Sequence, residues 1–316
     1  MITNKNILIA GGNGFIGTNL CLKLLNQNNH ITIIDNNCSS VEKNEFWVSK
    51  GIEVLTLDII SDEILMLEKK YDIIINLACK ASPKKYQSTP FHTLDTCYIG
   101  TKNLLSLMRK DTVFLQASTS EIYGDPKIKE QDESYRGNTN CFGKRACYDE
   151  GKRITETLCY EKINEGYNVK VARIFNTYGP YMDKEDGRVI TNLLNQIINN
   201  QPLTIYGNGK QTRSFQYIDD LINGFEKLIE SNVNTPVNLG NPHEELNMLE
   251  LANVIIKTLG IDENYPMVFE ELPEDDPVIR KPNINKAMTF INWCPNIKLE
   301  EGIKKTYNYL CKNMTI

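Results

Sequence analysis

The chain has 316 residues, 41% of them apolar and 24% charged, with a formal net charge of −5. That length supports one large or two interleaved domains around a sizeable core. The mild acidity and the lack of a basic stripe argue against a nucleic-acid backbone as the main partner, and no apolar run is long enough to span a bilayer. The nine cysteines are odd in number and include no C-x-x-C pair, so they read as reduced thiols of a cytoplasmic protein. His30, His92 and His243 stand apart and form no ligand cluster, so no metal is expected. The first strand follows Met1 almost at once, so no signal peptide is expected.

In chain order, "NILIAGG" is a short apolar run closing in glycines, and "FIGTNLCLKLLNQ" has helical periodicity. "HITIIDN" reads as a second strand ending in Asp35, and "IEVLTLD" as a third ending in Asp58. "YDIIINLAC", "TVFLQAST" and "NVKVARIFN" continue the series, with a helical stretch, "HTLDTCYIGTKNLLSLMRK", among them. Strands alternating with helices predict a parallel sheet wound on both faces, a Rossmann-type α/β fold, with ligands at the strand ends. From about Asn176 the pattern loosens. A Gly/Asp-rich loop, the helix "VITNLLNQIINN" and the strand-turn "LTIYGNGKQTRSF" come first. The helix "DDLINGFEKLIE" and the strand "PVNLG" then return to the sheet. The helix "MLELANVIIKTL", a Pro- and Asp-rich loop and a terminal helix finish the chain. The expected division is a dinucleotide domain over 1–175 plus about 214–240, and a smaller α+β substrate lobe over about 176–213 plus 241–316.

"GGNGFIG" puts Gly11, Gly14 and Gly17 between a strand and a helix. Glycines there permit a tight turn and close approach of backbone to a pyrophosphate, and the helix N-terminus supplies unpaired N–H groups. An acid closes the next strand at the expected distance: Asp35 would bind adenosine ribose hydroxyls and repel a 2′-phosphate, which favours NAD over NADP. Phe15, Ile16, Asn36, Ile59 and Leu77 are expected to line the same site, and Asp58 to meet the adenine edge.

"RACYDEGKR" holds Tyr148 and Lys152 four apart, on one face of a helix. A free phenol titrates near 10. An adjacent ammonium and a cationic nicotinamide would favour the phenolate, which could take a proton from a sugar hydroxyl as it is oxidised. Thr119, at a strand end in "QASTSEIYG", is the candidate partner for that hydroxyl. Gly151 inside the helix costs roughly 1 kcal/mol against alanine, so a point of close packing is expected there.

With these residues in view, the chain resembles an extended short-chain dehydrogenase/reductase, and within that group the UDP-glucuronate decarboxylases. The stretches that carry the resemblance are "GGNGFIG", "ASTSEIYGDP", "RACYDEGKR", "ARIFNTYGP", "DGRVI", "LTIYGNGKQTRSFQYIDDL", "NLGNP" and "RKP". They imply a retained NAD, a UDP-sugar substrate and conversion of UDP-glucuronate to UDP-xylose through a 4-keto sugar. By the same resemblance Glu121 and Arg280 lie at the sugar end and Asn176 and Arg213 near the UDP phosphates. Tyr206 lies near the uracil, Arg188 contacts the cofactor and Tyr86 stands near the sugar. A homodimer through a four-helix contact, built on Thr96–Arg109 and Tyr148–Glu161, is also implied.

Chemistry supports the choice of reaction. A 4,6-dehydratase is expected to carry Asp-Glu after the threonine, to protonate a leaving hydroxyl; this chain has Ser120 before Glu121. Carbon dioxide needs no such acid, and a serine does not repel a substrate carboxylate. Glu121 or Tyr148 would return the proton to C5. An oxidative decarboxylase that releases the 4-keto pentose and NADH, an epimerase or dehydratase, and a non-catalytic NAD-sensing scaffold are the competing readings. The family tends to read "ASPASPxxY" where this chain has "ACKASPKKY", so Cys79 and Lys80 replace Ser and Pro, and Cys97 stands where Asn is usual.

Overall fold

The computed structural model describes residues 1–271 and 279–312. The strands β1 (Asn6–Ala10), β2 (His30–Ile34), β3 (Glu53–Leu55), β4 (Ile73–Asn76), β5 (Val113–Thr119) and β6 (Asn168–Ile174) join a seventh, Val237–Leu239, in one sheet. From one edge its order is the seventh strand, β6, β5, β4, β1, β2, β3, and every pairing is parallel. Its central strands are buried on both faces, which is why they read as unbroken runs of Ile, Leu and Val rather than alternating patterns. The order reverses between β1 and β4, and the crevice at their carboxyl ends is where such sheets bind ligands.

The third strand is shorter than "IEVLTLD" implies. It stops at Leu55 because the Leu57 amide turns back to the Leu55 carbonyl at 3.0 Å, leaving Asp58 on the loop beyond. The expected helix over 92–110 begins at Pro90 and is interrupted. Pro90–Asp95 and Thr101–Ser106 are α-helical, and Thr96–Gly100 between them is a π turn. Helix Ala146–Asn164 packs across this turn, and the Thr155 hydroxyl lies 3.1 Å from the Cys97 carbonyl. Gly151 is the point of contact: a Cβ there would sit 3.0 Å from Cys97 Sγ and 3.3 Å from its Cβ. The glycine serves close packing within the chain, between the Tyr148 helix and the π turn.

The smaller lobe is built from short pieces. Leu203–Tyr206 pairs in parallel with Met267–Glu270, while Thr212–Ser214 is flanked by Glu245–Asn247 and Ile279–Arg280. That last pairing sets Arg280 opposite Arg213. Helix Met248–Leu259 starts in a capping box between Asn247 and Glu250 and stops at Gly260, whose φ is +67°. The Pro- and Asp-rich loop expected in this lobe falls on 272–278, outside the described residues.

Candidate functional site

The helix α1 (Phe15–Leu25) begins at Gly14, and no side chain caps its first N–H groups. The three glycines before and within it answer to different constraints. Gly11 has φ +80°, and a Cβ there would be 2.9 Å from the Ala78 amide. A Cβ on Gly17 would lie 2.2 Å from the Gly11 carbonyl, so the loop and helix could not close. Gly14 is extended (φ −79°, ψ 177°), and a Cβ there would meet only the Gly11 carbonyl at 3.5 Å. The protein itself does not require glycine at 14. The space is left towards the cleft, as a backbone approached by a pyrophosphate requires.

Beyond the loop, Asp35, Asn36, Asp58 and Ile59 border one hollow with Gly11, Gly14 and Leu77. Asp35 accepts from the Asn13 amide at 3.0 Å, the Asn37 amide at 2.8 Å and the Ser40 hydroxyl at 3.2 Å. An ionised carboxylate has about four acceptor positions, so a ribose hydroxyl still finds one. Asp58 is held at the edge by Asn36 Nδ2 at 2.6 Å and His92 Nε2 at 2.9 Å.

A second hollow continues along the sheet edge, with Phe15, Ile16 and Gly17 on one side. Thr119, Ser120, Glu121, Tyr148 and Lys152 stand on the other, with Asn176 and Arg188 closing it. Arg188 pairs with Asp186, its Nη2 at 2.9 Å, and lies 5.8 Å from the Phe15 ring. Asn176 presents a buried Nδ2 with no hydrogen-bond partner among the described residues. A buried donor left unpaired is costly, so this amide is set for a ligand acceptor.

Tyr148 is buried, and its ring stacks on Tyr86 at 4.8 Å between centroids and 7° between planes. The Thr119 side chain stands beside the phenol. Lys152 Nζ lies 5.8 Å from the Tyr148 ring and donates to the Ala117 carbonyl at 3.0 Å. The expected easing of the phenol towards its anion called for a cationic nicotinamide as well as the ammonium. Burial first, then the charges at Cys79 and Glu121, hold Tyr148 well above the ordinary phenol range, with the Thr119 side chain acting against them. The polypeptide's own charges do not lower it.

Tyr86 is buried, its ring stacked on Tyr148 and fixing it, and its hydroxyl has no hydrogen-bond partner among the described residues. The Arg145, Glu121 and Asp149 charges all act on it.

Towards the smaller lobe a cavity of about 600 Å³ opens, walled by Glu121, Asn176, Arg188, Tyr206, Arg213 and Arg280. Glu121 is clasped there by two guanidiniums: Arg280 Nη2 and Arg145 Nη2 both reach its Oε2 at 2.6 Å. Burial pushes its carboxyl up, but the Arg280 and Arg145 charges win and hold it below the usual range. Asp149 lies nearby with Oδ1 buried and without a partner among the described residues. Burial, then the Glu121 charge, pushes its carboxyl up to about 7 against the pull of Arg145 and Arg280. Arg145 and Asp149 were not singled out from sequence, although both lie inside "RACYDEGKR". Their positions around Tyr148 on the helix were the available signal.

The site so described pairs a dinucleotide cradle with a tyrosine–lysine–threonine set, and this defines a class of nicotinamide-dependent enzyme. The chain belongs to the NAD dependent epimerase/dehydratase family, which it matches over residues 7–240; its cofactor is NAD. It is 44% identical over 314 residues to UDP-glucuronic acid decarboxylase 1 of Xenopus tropicalis, a match spanning 98% of this chain and 73% of that protein. It is also 44% identical over 303 residues to UDP-glucuronic acid decarboxylase 1 of Arabidopsis thaliana, spanning 95% and 68%. A solved structure of UDP-glucuronic acid 4-epimerase from Bacillus cereus, in complex with UDP-glucuronic acid and NAD, matches with a TM-score of 0.86 at 26% identity, covering 98% of this chain and 99% of that one. Among the described residues no helix is long and apolar enough to cross a membrane.

Proposed function

We propose that the protein converts UDP-glucuronate to UDP-xylose and carbon dioxide, with NAD retained throughout. The observation that carries this reading is the Arg145–Glu121–Arg280 cluster beside Tyr148: the buried guanidinium of Arg280 and the largely buried one of Arg145 share one carboxylate. The excess positive charge suits an anionic sugar, and a guanidinium can take a carboxylate bidentately.

NAD would rest on Gly14 and the start of α1, with Asp35 on its ribose, and supplies when bound a two-electron acceptor that takes up and returns hydrogen at the sugar C4. Tyr148 accepts the proton of the C4 hydroxyl, with Thr119 beside both. Lys152, fixed by the Ala117 carbonyl, contributes positive charge near the phenol. Burial keeps the Tyr148 phenol high in the polypeptide alone, so a cationic ring held beside it would favour release of its proton. Oxidation at C4 places a ketone β to the carboxylate, which then leaves as carbon dioxide. The resulting enolate takes a proton at C5. Glu121, kept ionised between two arginines, is a poor donor, so this proton comes from water, and the one held by Tyr148 returns to the C4 oxygen as the ketone is reduced. Ser120, buried on the same wall, offers a hydroxyl and no charge.

Asn176 and Arg213 would meet the diphosphate and Tyr206 the uracil, which their common place on the wall of one cavity supports. The same reading divides the chain into a dinucleotide domain, 1–175 plus about 214–240, and a substrate lobe formed by the rest. We also infer a homodimer. Its support is the exposure of Phe91, Tyr98, Ile99 and Tyr160 on the paired helices around the π turn. None of the nine cysteines is in a disulfide among the described residues, which supports a cytoplasmic location. UDP-glucuronate labelled with ¹³C in the carboxylate tests the reaction: labelled carbon dioxide and UDP-xylose are expected, and a labelled 4-epimer without gas release would overturn it.

A further inference from the structure

The mechanism leaves two departures from the family pattern unused, and they meet in space. Cys79 follows β4 on the segment that borders both cofactor hollows. Cys97 sits in the π turn, buried against Gly151. They are 18 residues apart in sequence, and their sulfurs are 3.7 Å apart. A disulfide needs about 2.05 Å, so closure requires the two sulfurs to approach by only about 1.7 Å. Gly151 makes room for this arrangement, since any side chain there would press on Cys97.

We propose that Cys79 and Cys97 form an oxidisable dithiol at the cofactor cleft, closed to an intrachain disulfide by a peroxide and shielded when NAD is bound. The inference rests on NAD occupying the cleft that Cys79 borders. Cys79 is the attacking thiol. It is half-buried at the cleft wall, whereas Cys97 is enclosed. The hydrogen bond from Cys97 lowers its thiol to about 7 against the effect of burial, helped by the charges of Lys152, His92 and Lys80, while Cys97 is pushed well above the ordinary range. A thiolate titrating near neutral pH combines availability with nucleophilicity.

The chemistry balances with hydrogen peroxide as oxidant. The Cys79 thiolate attacks one peroxide oxygen, the O–O bond breaks, hydroxide leaves and the sulfur is oxidised by two electrons to a sulfenic acid. Cys97 then loses its proton and its sulfur attacks Cys79. The S–O bond breaks and water leaves, so two thiols and one peroxide become one disulfide and two waters. A dithiol reductant reverses it by exchange.

The test uses the full-length chain stripped of nucleotide, oxidised with hydrogen peroxide with and without NAD, alkylated, digested and read by mass spectrometry. NAD binding is measured separately by calorimetry. The expected product is a cross-linked pair of peptides containing Cys79 and Cys97, about 2 Da lighter than the two reduced peptides together, and restored by dithiothreitol. NAD at ten times its Kd leaves about one cleft in eleven open, so cross-linking should slow about ten-fold. In Cys97→Ser, Cys79 should stop at a sulfenic acid trapped by dimedone; in Cys79→Ser, Cys97 should stay reduced. The proposal is overturned if Cys79 and Cys97 stay reduced while the exposed Cys38, Cys141 and Cys294 oxidise, if Cys79 pairs with Cys147 instead, or if NAD binds without slowing the reaction.

Discussion

Replacing Asp149 by asparagine should make the protein more stable at pH 8 and leave it little changed near pH 4. Asp149 is buried and its Oδ1 has no partner among the described residues, so an amide of the same shape fits without losing a hydrogen bond there. Burial and the Glu121 charge raise its carboxyl from 3.8 to about 7, against Arg145 and Arg280, with Glu150 adding to the rise. In the unfolded chain the carboxyl releases its proton near the ordinary value, while the folded chain keeps it until about 7. Between these values the folded state binds more protons, so stability is fully present below the lower one and falls as pH rises through the higher one. At 1.36 kcal/mol for each pK unit, a rise of about three units costs at most about 4 kcal/mol above pH 7. With an unfolding entropy of about 2.1 cal/mol/K per residue over 316 residues, that corresponds to about 6 °C in Tm. Thermal melts of both proteins from pH 4 to 8 measure it. The Tm gap should open in favour of Asp149→Asn as pH rises. A gap equal at pH 5 and pH 8, or one widening towards acid, would refute the reasoning.

Three further outcomes follow from the same geometry. Glu121→Ala leaves Arg145 and Arg280 buried without their carboxylate, and chemical denaturation should show a loss of about 3–5 kcal/mol; a loss within 1 kcal/mol would mean that the guanidiniums find water. Gly14→Val should fold with a near-normal Tm yet fail to bind NAD by calorimetry, whereas Gly17→Ala, with its Cβ 2.2 Å from the Gly11 carbonyl, should be strongly destabilised. Equal effects at the two positions would remove the argument that the space at 14 is kept for the cofactor. Tyr148→Phe should retain NAD while turnover falls by a factor of about 10² to 10⁴; retained activity would take Tyr148 out of the mechanism.

The large sheet was legible because its parallel strands are buried on both faces, so runs such as "NILIA" and "IIIN" stand out between amphipathic helices. The smaller lobe was less so: its strands are two to four residues long, and their pairing depends on contacts far apart in the chain. Asp35, Thr119, Tyr148 and Lys152 could be placed in advance because a loop, a strand end and a helical spacing each fix where a side chain points. What spacing does not carry is charge balance in three dimensions. Glu121 was expected as one of two groups that could return the proton to C5, but two arginines from distant segments hold it as a carboxylate. Tyr86 was expected near the sugar, and its stacking on Tyr148 comes from packing that the motif does not spell out. The π turn that brings Cys97 to Cys79 has no signature in "DTCYIG", since it comes from packing against Gly151 and Thr155.

The central claim is that C4 is oxidised and then reduced again within one turnover, so that NAD is used without being consumed. The most direct measurement is absorbance at 340 nm while purified protein acts on UDP-glucuronate, with the sugar products identified by NMR. The account predicts UDP-xylose and carbon dioxide in equal amounts with no net NADH, whether or not NAD is added. NADH rising in step with a UDP-4-keto-pentose would contradict it and mark the protein as an oxidative decarboxylase.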